Sequence, residues 1–310
     1  MITRSDVDEA AARIAGLVRR TPVIEADPDS FPGTVWLKCE FMQHTGTFKA
    51  RGAFNRVLAC RERGELKEDV GIVVASGGNA GLANAYAAAQ AGVPAAVFVP
   101  ETAPAMKVKK LRESGATVIQ RGAEYAVAYD AAIAHAAETG AVYCHAYDQP
   151  EIAAGAGTVG SELLEQLGGV DTVLVAVGGG GLMAGIAAAV EGLARVVGVE
   201  PATAPTLHAA LKAGEPVDVA VSGIAADSLG ARRIGRIGFD VAVRTGVACV
   251  LVSDDEIVAA RSRLWADYRM VVEHGAAAAF AALTSGAYVP AEGERVAVIL
   301  CGANTDPSTL

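Results

Sequence analysis

The sequence predicts an α/β fold built on mostly parallel sheets, and three observations carry that expectation. Apolar runs of four to six residues recur along the chain, as strands covered on both faces require. They alternate with alanine-rich stretches of helical length, the order that crossover helices between parallel strands produce. Of 310 residues, 52% are apolar but only 5% aromatic, so small side chains can bring helices close to a sheet. The length suggests about two domains.

In chain order, Val35 to Lys38 reads as a strand. Gly71 to Ala75 is a second, followed by a helix from Ala80 to Ala91. Ala95 to Val99 is a strand, then Ala105 to Ser114 is helical. Thr117 to Gln120 is a strand and Glu124 to Thr139 a helix. Then come the strand Thr172 to Val177, a helix from Leu182 to Leu193 and the strand Val196 to Glu200. The strands Val247 to Val252 and Val296 to Leu300 flank a helix from Asp254 to Met270. Gly46 and the stretch 140–147 are the candidate passages between two lobes. No regulatory domain is expected after the last strand.

Charge and composition exclude several classes. The net charge is -9 and no basic stripe is visible, which argues against nucleic acid as a partner. No apolar run approaches the ~20 residues of a membrane span. Residues 1–20 hold Asp6, Asp8 and Glu9 and lack a signal-peptide core, so a cytoplasmic protein with a small-molecule ligand is expected. Five cysteines without CxxC spacing indicate neither a disulfide framework nor a zinc site, and most read as buried small hydrophobes.

Four segments are unusual, and in open α/β sheets ligands sit at the carboxyl ends of strands. The first runs Thr45-Gly46-Thr47-Phe48-Lys49-Ala50-Arg51-Gly52-Ala53, with Phe54, Val57 and Leu58 continuing a helical period. Thr45 or Thr47 is the candidate cap. Lys49 and Arg51 then fall near the positive end of the helix, the wrong end for a cation. They are either solvated side chains or, for Lys49, an amine held down in pKa for Schiff-base chemistry.

The second segment is Ser76-Gly77-Gly78-Asn79, between a strand and a helix. It is either an ordinary turn capped by Asn79 or an anion site suited to a carboxylate. The third is Gly178-Gly179-Gly180-Gly181-Leu182, whose backbone N–H groups at a helix start suit a phosphate. It also satisfies a loose dinucleotide pattern, Gly179-x-Gly181-x-x-Ala184 with Glu200 about 20 residues on. That pattern explains neither Lys49 nor the Ser76–Asn79 loop. The fourth is Cys301-Gly302-Ala303-Asn304, directly after a strand, where Cys301 is either an inert buried thiol or a site residue.

Together, in this order, the four segments resemble the serine/threonine dehydratase family of pyridoxal-phosphate (PLP) enzymes, the fold type II or tryptophan-synthase-β-like group. The resemblance runs from Thr21-Pro22 through Cys301. It implies two lobes, each a mostly parallel sheet flanked by helices. Residues 1–45 with 142–310 would form the larger, PLP-binding domain and 46–141 the smaller. Lys49 would carry the cofactor and serve as general base, with Phe48 beside the ring. Gly178, Gly179, Gly180, Gly181 and Leu182 would cradle the phosphate, and Asn79 would bond the ring hydroxyl. Ser76, Gly77 and Gly78, with Asn79, would close on the substrate carboxylate. Cys301 would face the pyridine nitrogen and Glu273 would lie near the ring.

The resemblance implies β-elimination from L-serine or L-threonine to a 2-oxo acid and ammonia. An amino acid racemase on the same scaffold is the alternative. A nicotinamide-dependent oxidoreductase and a non-catalytic PLP-binding protein stand further off. Gly77 occupies the place where the racemases carry a second serine, and Ala80, His274 and Ala303 also depart from common members. Glu200 matches a position that ligates a cation in some members; its plainer interpretation is a strand-end carboxylate in solvent. A homodimer or higher homo-oligomer is expected by the same resemblance.

Overall fold

The computed structural model describes residues 1–27 and 30–310. Its strands are β1 (Val23–Glu25), β2 (Thr34–Lys38), β3 (Ile72–Ala75), β4 (Ala95–Val99), β5 (Thr117–Gln120), β6 (Val142–Tyr143), β7 (Thr172–Ala176), β8 (Arg195–Pro201), β9 (Ala248–Val252) and β10 (Arg295–Ile299). Its α-helices are α1 (Arg4–Arg13), α2 (Lys49–Glu62), α3 (Asn79–Ala91), α4 (Ala105–Glu113), α5 (Tyr125–Thr139), α6 (Pro150–Leu167), α7 (Gly181–Ala189), α8 (Thr206–Ala213), α9 (Ala226–Leu229), α10 (Arg236–Thr245), α11 (Asp254–Tyr268) and α12 (His274–Thr284).

Among the described residues these strands form two sheets. The larger has six strands in the order β1-β2-β10-β7-β8-β9. Only the edge pair β1–β2 is antiparallel; the register elsewhere is parallel, for example Val296 opposite Val35 and Val173 opposite Val196. The smaller sheet has the order β5-β4-β3-β6, all parallel. Every residue of β3 and of β7 is buried, as two-sided coverage demands. The strand that closes the smaller sheet, Val142–Tyr143, lies just past residue 141, so sheet membership carries the smaller unit a few residues beyond the expected boundary.

Small residues set the helix spacing. A Cβ on Gly157 of α6 would lie 2.5 Å from the Gly185 carbonyl of α7, so the two helices touch backbone to backbone. Helix α2 packs against both α3 and α6, so the segment bearing Lys49 is anchored on two sides. Beneath it lies a buried charge cluster. The Arg51 guanidinium, 1% exposed, meets both Glu40 oxygens at 2.6 and 2.9 Å and Glu162 at 3.0 Å. Lys38 adds a 2.5 Å pair with Glu162.

Two expectations are corrected here. Neither Thr45 nor Thr47 caps α2: Phe48 holds the cap position, and both threonine hydroxyls are buried without a hydrogen-bond partner. Thr47 is extended and bridges to Gly302, which turns it away from a capping geometry. Arg51 is not a solvated side chain, because two carboxylates draw it inside. Cys39, Cys60, Cys144 and Cys301 are buried and Cys249 is half-buried; all five are free thiols. Among the described residues no helix is long and apolar enough to cross a membrane.

Candidate active site

The carboxyl ends of β3, β7 and β10 open on one cavity of about 780 Å³. Phe48, Lys49, Ser76, Gly77, Gly78, Asn79, Gly178, Gly179, Gly180, Gly181, Leu182, Glu273 and Cys301 all line it. Residues from both sheets thus converge on a single cleft, as strand ends in open α/β sheets do. Lys107 of α4 pairs with Asp227 of α9 at this cavity, tying the two sheets' helices together.

Lys49 opens α2. Its Nζ donates to the Ala146 carbonyl at 3.1 Å and lies 4.7 Å from the centre of the Phe48 ring. Burial lowers its pKa; Cys301 and Glu273 pull the other way. No carboxylate forms an ion pair with it within 4 Å among the described residues, unlike Lys38 nearby. A buried, unpaired amine is one that sheds its proton readily.

Cys301 follows β10, and its carbonyl accepts the Phe48 N–H at 3.0 Å, which fixes the strand end beside Lys49. Burial pushes its thiol far up, so it stays neutral. Glu273 is 8% exposed, and burial raises its carboxyl to about 7 against the pull of Asn79 and Lys49. Asn79 Nδ2 donates to both Glu273 oxygens, at 2.9 and 3.1 Å. Asn304 Nδ2 donates in turn to Asn79 Oδ1 at 2.7 Å and to the Thr45 carbonyl at 2.8 Å. Both ends of the Asn79 amide are therefore held. Asn79 is the first residue of α3 and not its cap, which is Gly78.

The tetraglycine loop is closed on its protein side. A side chain on Gly179 would run into the Tyr147 ring, and one on Gly181 would lie 2.6 Å from the Tyr147 carbonyl. Gly180 has φ +84°, where side-chain-bearing residues are strained. Helix α7 then begins, and Ala184 is the first residue whose N–H reaches a helical carbonyl, that of Gly180 at 2.9 Å. The N–H groups of Gly181, Leu182 and Met183 are left without an intrahelical acceptor, an anion cradle at a positive helix end.

Glu200 lies outside the cavity, and the expectation of a solvent carboxylate is corrected. It is fully buried, so it is not a solvent carboxylate. Its oxygens accept from Leu207 N at 2.7 Å, His208 N at 2.9 Å and Cys249 Sγ at 3.3 Å. With the two backbone donors Glu200 caps α8. Among the described residues no group of three His, Cys, Asp or Glu gathers as a metal site. Engaged in this way, Glu200 is also not free to hold a ribose. Its link to the glycine loop runs through Thr206, whose Oγ1 is 2.9 Å from Glu200 and 2.5 Å from the Gly178 carbonyl.

His145 and Tyr147 also line the cleft without a motif to mark them, and Asn304, at the end of the fourth segment, acts behind it. Tyr147 backs the glycine loop and Asn304 orients Asn79; no motif spacing signals either contact, because their partners lie far away in the chain.

The raised Glu273 carboxyl gives a stability prediction. A group whose folded pKa exceeds its ordinary value of ~4.3 stabilises the fold fully below that value and loses this as pH rises through the folded pKa, about 7. Glu273→Gln should therefore raise the stability of cofactor-free protein at pH 8 by roughly 1–3 kcal/mol, at about 1.4 kcal/mol per unit. At pH 5 the gain should largely vanish. Melting curves at the two pH values check this, and an equal effect at both would contradict it.

A profile of the family described as pyridoxal-phosphate dependent enzyme matches residues 14–302. The chain is 38% identical to phenylserine dehydratase of Ralstonia pickettii, over 96% of this chain and 92% of that protein. It is 36% identical to L-threonine ammonia-lyase of Geobacter sulfurreducens, over 100% of this chain and 77% of that protein. Among solved structures, maize serine racemase superposes with a TM-score of 0.91 at 32% identity, covering 99% of this chain and 95% of that one.

Proposed function

The chain belongs to the family of pyridoxal-phosphate dependent enzymes, and from that premise we propose that it removes the β-hydroxyl and the amino group of L-threonine or L-serine, releasing a 2-oxo acid and ammonia. It is a PLP-dependent lyase of fold type II. The cleft fits the cofactor on its own terms. It has a buried amine without an anionic partner, three backbone N–H groups free at a helix start, and a cavity of about 780 Å³ between them.

When bound, PLP supplies an aldehyde for amines and a ring that makes the substrate Cα proton acidic. The chain supplies the rest. Lys49 would hold the cofactor and, when free, would take the proton from Cα; its lowered pKa keeps a share of the amine neutral for that task. Gly178 to Leu182 hold the phosphate. Asn79, fixed by Asn304 and Glu273, addresses the ring hydroxyl. Ser76, Gly77 and Gly78 bind the substrate carboxylate at the start of α3. Phe48 packs by the ring. Cys301, a neutral thiol, would face the ring nitrogen, which then need not be protonated. The smaller unit closes over bound substrate.

The observation that carries elimination over racemisation is Gly77. A racemase needs an acid or base on each face of the cofactor, and glycine offers none. A Cβ at Gly77 would meet Val99 Cγ1 at 3.5 Å, an ordinary contact, so a serine fits there. Gly77→Ser should keep the cofactor's visible band and raise the D-enantiomer formed per 2-oxo acid by about tenfold or more, one proton-transfer group being worth ~10²-fold at least. Chiral chromatography of the product mixture checks this, and an unchanged ratio would count against the role of this position.

β-Aryl substrates are a second candidate class. They are favoured by the size of the cavity and by Tyr125, Ala103 and Pro104 on its wall, together with the phenylserine dehydratase relative. A panel of L-serine, L-threonine and phenylserine, assayed for 2-oxo acid and ammonia, tests the function and ranks the substrates. Absence of both products with all three would refute it. We place the enzyme in the cytoplasm, as a homo-oligomer.

A further inference from the structure

We propose that His145 hydrogen-bonds the departing β-oxygen of the substrate, a role that rests on the elimination just described. The geometry of its ring points there. His145 Nδ1 accepts two backbone N–H groups, from Asp148 at 2.9 Å and from Tyr147 at 3.2 Å. Both are obligate donors, so the ring proton resides on Nε2. Among the described residues the ring's hydrogen bonds run through Nδ1 alone, and the residue lines the cavity.

The ring is also clamped. Tyr147 packs edge-on with its centre 4.6 Å away, and Tyr143 lies edge-on at 6.3 Å. The backbone N–H of His145 donates to Gln149 Oε1 at 2.8 Å, and Gln149 Nε2 returns to the Tyr143 carbonyl at 3.1 Å. Burial, outweighing the pull of Asp148, lowers the imidazole pKa, so the ring is a neutral donor. A fixed donor of fixed tautomer, aimed by its own loop, is what preorganised stabilisation of developing charge requires.

Elimination among the substrate's polar groups gives the target. The amine belongs to the Lys49 end and the carboxylate to Ser76–Gly78, while the cofactor phosphate belongs to the start of α7. The β-hydroxyl is left. His145 directly precedes Ala146, whose carbonyl holds Lys49 Nζ, and it lines the same cavity as Lys49. In the step, Cα–H breaks and its proton goes to Lys49. The Cα–Cβ bond gains a second electron pair, and Cβ–O breaks with its pair on oxygen. The group leaves as hydroxide with its own hydrogen, and the proton that Lys49 took from Cα completes the released water. The Nε2–H eases the step by bearing on the oxygen as its charge grows.

The test compares leaving groups in the PLP-loaded enzyme. His145→Asn keeps an acceptor for the two backbone N–H groups and removes the far donor; His145→Phe is the second variant, keeping bulk alone. With L-serine or L-threonine, whichever the wild type turns over faster, kcat should fall about 10- to 100-fold in both variants. With β-chloro-L-alanine, whose chloride needs no hydrogen-bond donor, kcat should stay within about threefold. Equal losses on both substrates would overturn the proposal and mark His145 as holding the loop. A raised KM on both with unchanged kcat would overturn it in favour of a carboxylate contact. If the wild type yields no 2-oxo acid even from β-chloro-L-alanine, the elimination itself fails and the proposal falls with it.

Discussion

Lys49→Ala should lose turnover by about 1,000-fold or more and lose the visible band of the lysine-bound cofactor. Two roles disappear at once. A positioned general base alone is worth ~10²–10⁴ in rate. The nucleophile that secures the cofactor goes with it. Folding should be little affected, because the Lys49 ammonium has no ion-pair partner among the described residues and its hydrogen bond is to a single carbonyl. A melting curve close to wild type, beside the missing band and the lost 2-oxo acid, is the expected result. Retention of full activity would remove Lys49 from the chemistry.

Arg51→Met should give the largest loss of stability. Arg51 is buried with Glu40 and Glu162, and the substitution leaves Glu40 inside without its cation and Glu162 with Lys38 alone. Breaking a buried pair from one side costs about 3–5 kcal/mol. The pH dependence fixes the cause. Burial by itself would raise Glu162, but Arg51 and Lys38 hold it below the ordinary carboxylate range. A lowered folded pKa contributes stability above the unfolded value of ~4.3 that is lost as pH falls through the folded one. Without Arg51 that contribution shrinks, so the variant should be most destabilised near neutral pH and least below pH 4. Denaturation at pH 7 and pH 4 measures it; an equal loss at both would point to packing and not to charge. Because Arg51 lies two residues beyond Lys49 on the same helix, the loss should also weaken cofactor retention.

Much of this was legible in the sequence because it was local. The strands at 95–99 and 117–120 match expectation residue for residue, since short β-prone runs bounded by Pro94 and Pro100 or by Gly115 and Gly122 leave few alternatives. The segments around Lys49, Asn79, the tetraglycine and Cys301 are contiguous, so their positions at strand ends and helix starts followed from reading along the chain. Helix α6 was missed because Gly155, Gly157 and Gly160 argue against a helix, yet packing on α2 demands the first and packing on α7 the other two. Pro150 at its first turn was the available signal.

What stayed illegible was pairing at a distance. Arg51 meets Glu162, 111 residues away, and Asn79 meets Glu273 and Asn304, 194 and 225 residues away. Glu200 shows the same limit from the other side. Its place after a strand suggested solvent, but the start of α8 a few residues later claims its oxygens.

The most direct test of the central claim is a visible absorption spectrum of the purified, PLP-loaded protein, recorded before and after adding L-threonine or L-serine while 2-oxo acid is measured. A band from the lysine-bound cofactor that shifts on addition, with 2-oxobutyrate or pyruvate accumulating, is the result expected from a buried Lys49 amine beside an anion cradle. A protein that shows no such band, or a band that never shifts and yields no 2-oxo acid from any β-hydroxy amino acid, would contradict it.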